Sequence, residues 1–236
     1  MKAFLLAAGH GTRLRPYTDS TPKCLLPVQG VPMLGIWLEL CHRHGISDVL
    51  VNTHAQARTV IEFVQNWRDG VKVQVVEEPE LFGSAGTLRH NRKWVQSEQA
   101  FWVFYADVLT SVDLSSMLHA HDSDVAATLG LYSVPDPERC GIAAIDNEGI
   151  VRDFREKPAH PNGNLAFAGV MVGTPSLLEA IPEKPVSDIA FDVLPQLVGR
   201  MRAYRIPEYV LDIGTPENYK IAQSTWPGLD LTGKTA

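Results

Sequence analysis

The chain has 236 residues, 45% of them hydrophobic, a net charge of −6 and three cysteines. That length buries a substantial core, and that composition belongs to a globular protein. The acidic balance excludes nonspecific nucleic-acid binding, which needs a positive surface to replace counterions, but permits a small anionic ligand held by local positive charge. No apolar run approaches the roughly 20 residues of a membrane helix, and the N-terminus enters an apolar strand rather than a charged, cleavable leader. A cytoplasmic protein with no membrane partner is expected. Cys24, Cys41 and Cys140 are odd in number and lack paired close spacing, which points to reduced thiols rather than disulfides or a zinc site.

In chain order, short apolar runs predict strands at 3–7, 48–52, 71–76 and 101–106. Between them, amphipathic periods predict helices at 33–44, stopped by Gly45, at 57–67 and at 85–95. Strands alternating with helices imply a parallel sheet with right-handed crossovers, and such sheets bind ligands at the carboxyl ends of their strands. After Asp107 the pattern changes to strands at 124–132 and 141–145, a hairpin turn at Asn147-Glu148-Gly149, and strands at 150–156 and 165–173. A loop at 182–185, a short helix at 191–198, a strand pair near 202–211 and a last helix at 216–224 follow. No repeat or linker divides the chain. The expected fold is a single α/β domain, 1–236, Rossmann-like, with a mixed, mainly parallel central sheet flanked by helices.

The most informative segment is AFLLAAGHGTRLRPYTDSTPKCLLPV, 3–28, where a buried strand runs into a glycine-rich loop bearing Arg13, Arg15 and Lys23. Gly9 and Gly11 let the backbone approach a ligand, and exposed amides there become anion donors. The dinucleotide fingerprint is excluded, because Leu14 stands where its third glycine belongs, and the ATPase loop is excluded because Gly-Lys-Ser/Thr is missing. The basic residues set this loop apart from a tight turn. Arg13 offers a planar fork for phosphate oxygens, Lys23 offers a compact point charge, and Pro16, Pro22 and Pro27 stiffen the chain around them.

GHGTRLRPYTDSTPKCLLPV resembles the signature of the sugar-1-phosphate nucleotidylyltransferases: a GxGTR loop, a spacer ending in Pro-Lys, and a Pro a few apolar residues later. The likeness recurs downstream. EEPELFGSAGTL, 77–88, resembles the family's base-binding segment, FREKP, 154–158, its sugar-phosphate segment, and LDIGTPENY, 211–219, its closing metal motif. Within the family, FGSAGTL and the compact length look most like the bacterial mannose-1-phosphate and D-glycero-D-manno-heptose-1-phosphate guanylyltransferases.

The resemblance implies a nucleotide-diphospho-sugar transferase fold, with about 1–110 holding the nucleotide and about 111–236 holding the sugar. It implies attack by a sugar 1-phosphate on the α-phosphorus of a nucleoside triphosphate, with release of pyrophosphate. That nucleophile is already an anion, so no general base is needed, and the eight histidines show no nucleophile-base pattern. Carried onto this chain, Arg13 holds the departing pyrophosphate and Lys23 stabilises charge at the α-phosphate. Mg²⁺ is the implied cofactor, on Asp107 and Asp212. Read alone, an Asp after a strand is a cap or turn residue, and spacing never pairs two that are this far apart. Ala106 departs from the family's usual Gly and narrows the approach to Asp107.

Around the nucleotide the implied contacts are Ala7, Ala8, Gly9, Gly11, Thr12, Glu78 and Gly86. The carboxylate of Glu78 matches the donor edge of guanine, a reason to expect GTP, although a residue before Pro79 also reads as a surface position. Around the sugar phosphate they are Gly141, Glu156, Lys157 and Asn164. Glu156 and Lys157 are adjacent in a strand, where side chains ordinarily point to opposite faces, and Asn164 also reads as a turn cap. Alternatives are a uridylyl- or thymidylyltransferase acting on glucose 1-phosphate, transfer from CTP to a phosphorylated alcohol, and an inactive regulatory module that binds nucleotide sugars. A homodimer is compatible with the five tryptophans and apolar helices. With a short polar tail after Tyr219, no appended β-helix domain is expected.

Overall fold

The apolar run after Met1 forms β1 (Lys2–Leu6), and Ala3, Phe4 and Leu5 are fully buried because the strand has a parallel neighbour on each edge. The computed structural model of the chain describes residues 1–68 and 70–229, so the end of the polar tail lies outside the described residues. A small hairpin, β2 (Pro27–Val28) and β3 (Val31–Pro32), leads into α1 (Met33–Arg43). β4 (Asp48–Thr53), α2 (Ala57–Asn66) and β5 (Lys72–Glu77) continue the alternation.

The helix expected at 85–95 divides. α3 (Gly83–His90) ends at Asn91, and Arg92–Val95 is a separate 3₁₀ turn. β6 (Phe101–Tyr105) then returns to the centre of the sheet. Two elements the pattern did not predict follow it, β7 (Val108–Thr110) and α4 (Leu114–His119), the latter capped by Asp113 accepting from Ser116 N–H at 2.9 Å.

In the second half, β8 (Ala127–Ser133) starts later than expected, after an Asx turn in which Asp122 accepts from Asp124 N–H. β9 (Gly141–Ile145) and β10 (Val151–Glu156) form the expected hairpin; Asp146 Oδ1 accepts from both Glu148 and Ile150 N–H groups across its turn. β11 (Leu165–Gly173) and α5 (Pro175–Glu179) follow. The helix expected at 191–198 is instead a π-helical turn, Ile189–Val193, and a 3₁₀ turn, Leu194–Leu197. Pro195 explains the break, because it has no N–H to continue an α-helical ladder. The expected strand pair near 202–211 is also corrected. β12 (Met201–Arg205) pairs with β8 and β13 (Val210–Asp212) with β7, not with one another. α6 (Pro216–Thr225) closes the chain.

The main sheet runs β5-β4-β1-β6-β11-β9-β10, parallel from β5 to β6 and antiparallel beyond, with β8 and β12 branching from β11. The branch lies at a bulge in β11, where the register against β8 shifts between Phe167 and Met171. Gly169 sits there at φ +66°, and a Cβ on it would lie 2.9 Å from Tyr105 Cβ. Each large core mixes residues of both halves; one joins Leu5 and Phe104 to Val170 and Ile206, the other Phe4 and Leu88 to Leu129 and Met201. Cys24, Cys41 and Cys140 are free thiols, the first two buried. Among the described residues no helix is long and apolar enough to cross a membrane.

Candidate active site

The glycine loop leaves the carboxyl end of β1 and folds back on itself. Gly11 is at φ +64°, a Cβ there would lie 3.0 Å from Thr18 Cγ2 and 3.1 Å from Lys23 Cβ, and Thr18 Oγ1 donates to Gly11 O at 2.8 Å. A Cβ on Gly9 would meet no protein atom within 4 Å, so this glycine faces the space a ligand would take. Lys23 begins a 3₁₀ turn whose next residues, Cys24 and Leu25, are buried beneath it. Its ammonium lies 2.6 Å from Asp107 Oδ2, with only 12% of the lysine side chain exposed.

Asp107 and Asp212 meet because β7 and β13 pair antiparallel, placing Asp212 opposite Val108, while Ile213 N–H donates to Asp107 O at 2.9 Å. Two further bonds fix this ribbon: Trp37 Nε1 donates to Val108 O at 2.9 Å, and Asn218 Nδ2 to Asp212 O at 2.8 Å. Burial pushes the Asp212 carboxyl up from its ordinary value, the negative charge of Asp107 adds to this, and Lys23 and Arg13 pull it back. A Cβ on Gly214 would lie 2.7 Å from Asp212 Oδ1 and 3.1 Å from Arg13 Nη2. The four charged groups Arg13, Lys23, Asp107 and Asp212 therefore face one small volume. Among the described residues no group of three or more His, Cys, Asp or Glu side chains is placed to hold a metal ion. A two-carboxylate set fits a hard divalent cation that completes its shell with water and phosphate oxygens.

Beside this cluster lies a cleft of about 250 Å³ whose lining includes Ala7, Ala8, Gly9, Asn52, Glu78 and Thr87, with Ser84, Tyr105, Lys23 and Asp107. Glu78 is 2% exposed, which removes the surface reading of this residue. Its Oε1 accepts from Asn52 Nδ2 at 2.9 Å and Thr87 Oγ1 at 2.5 Å, and its Oε2 from Phe82 N–H at 3.3 Å. The other end of Asn52 accepts from Ala7 N–H at 2.7 Å, so of the Ala7 backbone polar groups only the carbonyl is open to a ligand. Gly86 does not line the cleft. Its N–H and that of Ala85 donate to Ser187 O, and a Cβ on it would lie 2.9 Å from Phe82 Cβ, so it is a packing glycine. Gly11 and Thr12 are likewise outside the cleft lining.

At the end of β10, Glu156 and Lys157 do not point apart as two strand residues would. Lys157 is at φ +48°, which turns its side chain so that Nζ lies 3.5 Å from Glu156 Oε1. Gly141 makes room for that carboxylate, since a Cβ there would lie 2.5 Å from Glu156 Oε2 and 2.8 Å from Phe154 Cζ. Burial pushes the Glu156 carboxyl up, Lys157 pulls it back and Asp188 adds to the rise. Burial pushes the Cys140 thiol up, and the negative charges of Asp212 and Glu156 add to the rise. Asn164 is exposed just before β11, with its carbonyl accepting from Val134 N–H.

Asn52, Thr87 and Tyr105 line the cleft without having been predicted. Asn52 ends a strand, where Asn reads as a turn residue, and Thr87 and Tyr105 sit inside a helix and a strand whose periodicity accounts for them. Burial pushes the Tyr105 phenol well above its ordinary value, with Asp188, Asp107 and Glu156 adding, so it stays neutral between the two ends of the site.

The mannose-1-phosphate guanylyltransferase of Mycobacterium tuberculosis is 32% identical over 223 residues, covering 92% of this chain and 62% of that protein. Mannose-1-phosphate guanylyltransferase 1 of Arabidopsis thaliana is 30% identical over 227 residues, covering 93% of this chain and 63% of that protein. The chain thus spans somewhat less than two thirds of the length of these curated relatives. The crystal structure of HddC from Yersinia pseudotuberculosis, complexed with GMP-PN, has the same fold; its TM-score is 0.81 at 23% identity, with 95% of this chain and 99% of that chain covered. Residues 2–226 match the nucleotidyl transferase family from β1 through α6, with the charged cluster and the cleft inside the match, and the chain belongs to that family.

Proposed function

We propose that this chain transfers the nucleoside monophosphate of GTP to the phosphate of a manno-configured sugar 1-phosphate, mannose 1-phosphate or manno-heptose 1-phosphate, releasing pyrophosphate. The observation that carries the reading is the Lys23 ammonium 2.6 Å from Asp107, with Asp212 and Arg13 beside it, at the edge of a cleft opening from the glycine loop. Such a cluster suits phosphoryl chemistry by positioning and charge neutralisation, with no proton to move. The guanylyl and manno assignments rest on the relatives and on a buried carboxylate, Glu78, in the lining of the cleft, an acceptor suited to the donor edge of guanine.

Ala8 and Gly9 present backbone to the nucleotide, while Asn52 and Thr87 orient the Glu78 carboxylate toward the base. Lys23 holds the α-phosphate, and Arg13 takes the departing pyrophosphate in a planar fork. Glu156 accepts hydrogen bonds from sugar hydroxyls and Lys157 neutralises the sugar phosphate. Asp107 and Asp212 would hold Mg²⁺, which would supply charge neutralisation for the phosphates of both substrates. The test is pyrophosphate release across GTP, UTP, dTTP, CTP and several sugar 1-phosphates. Strong release from GTP with a manno-configured sugar phosphate is expected; release from UTP or dTTP alone would overturn the guanylyl assignment.

A further inference from the structure

We infer that the exposed ring of Phe191 is the platform on which the apolar face of the sugar rests, a contact that selects the substrate; the inference rests on the sugar-phosphate reading above. Phe191 is 56% exposed. A single exposed aromatic is ordinary on a protein surface, so the case depends on what surrounds this one and how it is held. Lys157 Nζ lies 5.7 Å from its ring centroid and 3.5 Å from Glu156 Oε1. A carboxylate acceptor, an ammonium and an aromatic face thus converge at the end of β10. A phosphorylated pyranose presents the matching three: a rim of hydroxyls, a dianionic phosphate, and a face of C–H groups that gains by leaving water for an aromatic surface.

The ring is also held in place from behind. Phe191 lies in the π-helical turn Ile189–Val193, a form that recurs at functional sites. Asp188 Oδ1 accepts from Ala190 N–H at 2.8 Å and Phe191 N–H at 3.1 Å, and its Oδ2 accepts from Ser84 Oγ at 2.8 Å. Asp192 Oδ2 in turn accepts from Asp188 N–H at 2.7 Å, while its Oδ1 accepts from Lys184 Nζ at 2.7 Å. Ser84 lines the nucleotide cleft. The turn that carries Phe191 is thereby tied directly to the wall of the nucleotide site, so the distance from base to ring is set by the fold. Lys157 covers the ring in this state; when it pairs with a sugar phosphate, the ring face is freed for the sugar.

The experiment is steady-state kinetics of the full chain with Phe191→Ala, Phe191→Leu and Phe191→Trp, varying GTP and sugar 1-phosphate separately. KM for the sugar phosphate should rise about three- to tenfold in Phe191→Ala and Phe191→Leu, the size of one aromatic contact. Phe191→Trp should stay within about twofold of the unaltered protein, and KM for GTP should not move in any of the three. An unchanged sugar-phosphate KM in Phe191→Ala overturns the platform, as does Leu serving as well as Phe. Equal rises in both KM values would also overturn it, since they would mark a structural role. If the unaltered protein releases no pyrophosphate with any substrate pair, the sugar-phosphate reading itself fails and the platform falls with it.

Discussion

Asn52→Ala tests how the nucleotide cleft is built. Asn52 is 4% exposed and makes three side-chain hydrogen bonds: from Ala7 N–H at 2.7 Å, to Glu78 Oε1 at 2.9 Å and to Thr87 Oγ1 at 3.0 Å. Its amide orientation follows from these partners, since the oxygen must face the N–H and the NH₂ the carboxylate. The substitution leaves the Ala7 N–H unpaired at about 1–3 kcal/mol and removes a charge-assisted bond of about 1.5–3 kcal/mol. Thr87 and Phe82 N–H still donate to Glu78, which limits the loss. A destabilisation of about 3 kcal/mol is expected, a large fraction of the 5–15 kcal/mol that holds a typical domain together. Urea denaturation should show a lower midpoint with an unchanged slope, and KM for GTP should rise because Glu78 is no longer held by the side of the cleft that carries β1. A loss below about 1 kcal/mol with an unaltered KM for GTP would refute the claim that this amide organises the cleft.

Further outcomes follow from the charged cluster and the sugar end. Lys23→Met should lower kcat by about 10²–10³, the cost of one transition-state donor, with circular dichroism and melting temperature little changed, since a methionine fills the buried stem and Asp107, 35% exposed, is solvated once the ammonium is gone. Gly214→Ala places a methyl 2.7 Å from Asp212 Oδ1; a magnesium titration of turnover should show half-saturation at about tenfold higher concentration. Glu156→Gln should abolish sugar-phosphate selectivity yet raise the melting temperature near pH 8. Burial holds the Glu156 carboxyl above its ordinary 4.5, so the folded state binds this proton more tightly than the unfolded one and ionisation weakens folding. The gain in Glu156→Gln should be full above the folded-state value, shrink as pH falls toward 4.5 and vanish below it. A gain that persists at pH 3.5 would contradict the sign.

The first half of the fold was legible because buried parallel strands and one-sided helices leave unambiguous periods: the expected strand at 48–52 and helix at 57–67 match β4 and α2 within a residue. In the second half the local signals were legible, as in the turn at Asp146 and Gly149, the apolar strand at 165–173 and the last helix from Pro216. Pairings made over long sequence separations were not. Nothing in the spacing of Asp107 and Asp212 shows that β7 and β13 form a ribbon between them, and nothing near 202–211 shows that its two strands have different partners. Local conformation hid the sugar end. Strand alternation separates Glu156 from Lys157, and only the left-handed backbone at Lys157 brings them together. Pro195 was visible, but the π-helical turn it leaves behind, with Phe191 on its open side, was not.

The central claim is that Lys23, Arg13, Asp107 and Asp212 serve nucleotidyl transfer at the edge of a guanine-reading cleft. Its most direct test is GTP labelled at the α-phosphorus, incubated with magnesium, mannose 1-phosphate or manno-heptose 1-phosphate, and the unaltered protein. Label is expected in the GDP-sugar and none in the released pyrophosphate. Label appearing only in free GMP or GDP, or transfer from UTP but not GTP, would contradict it.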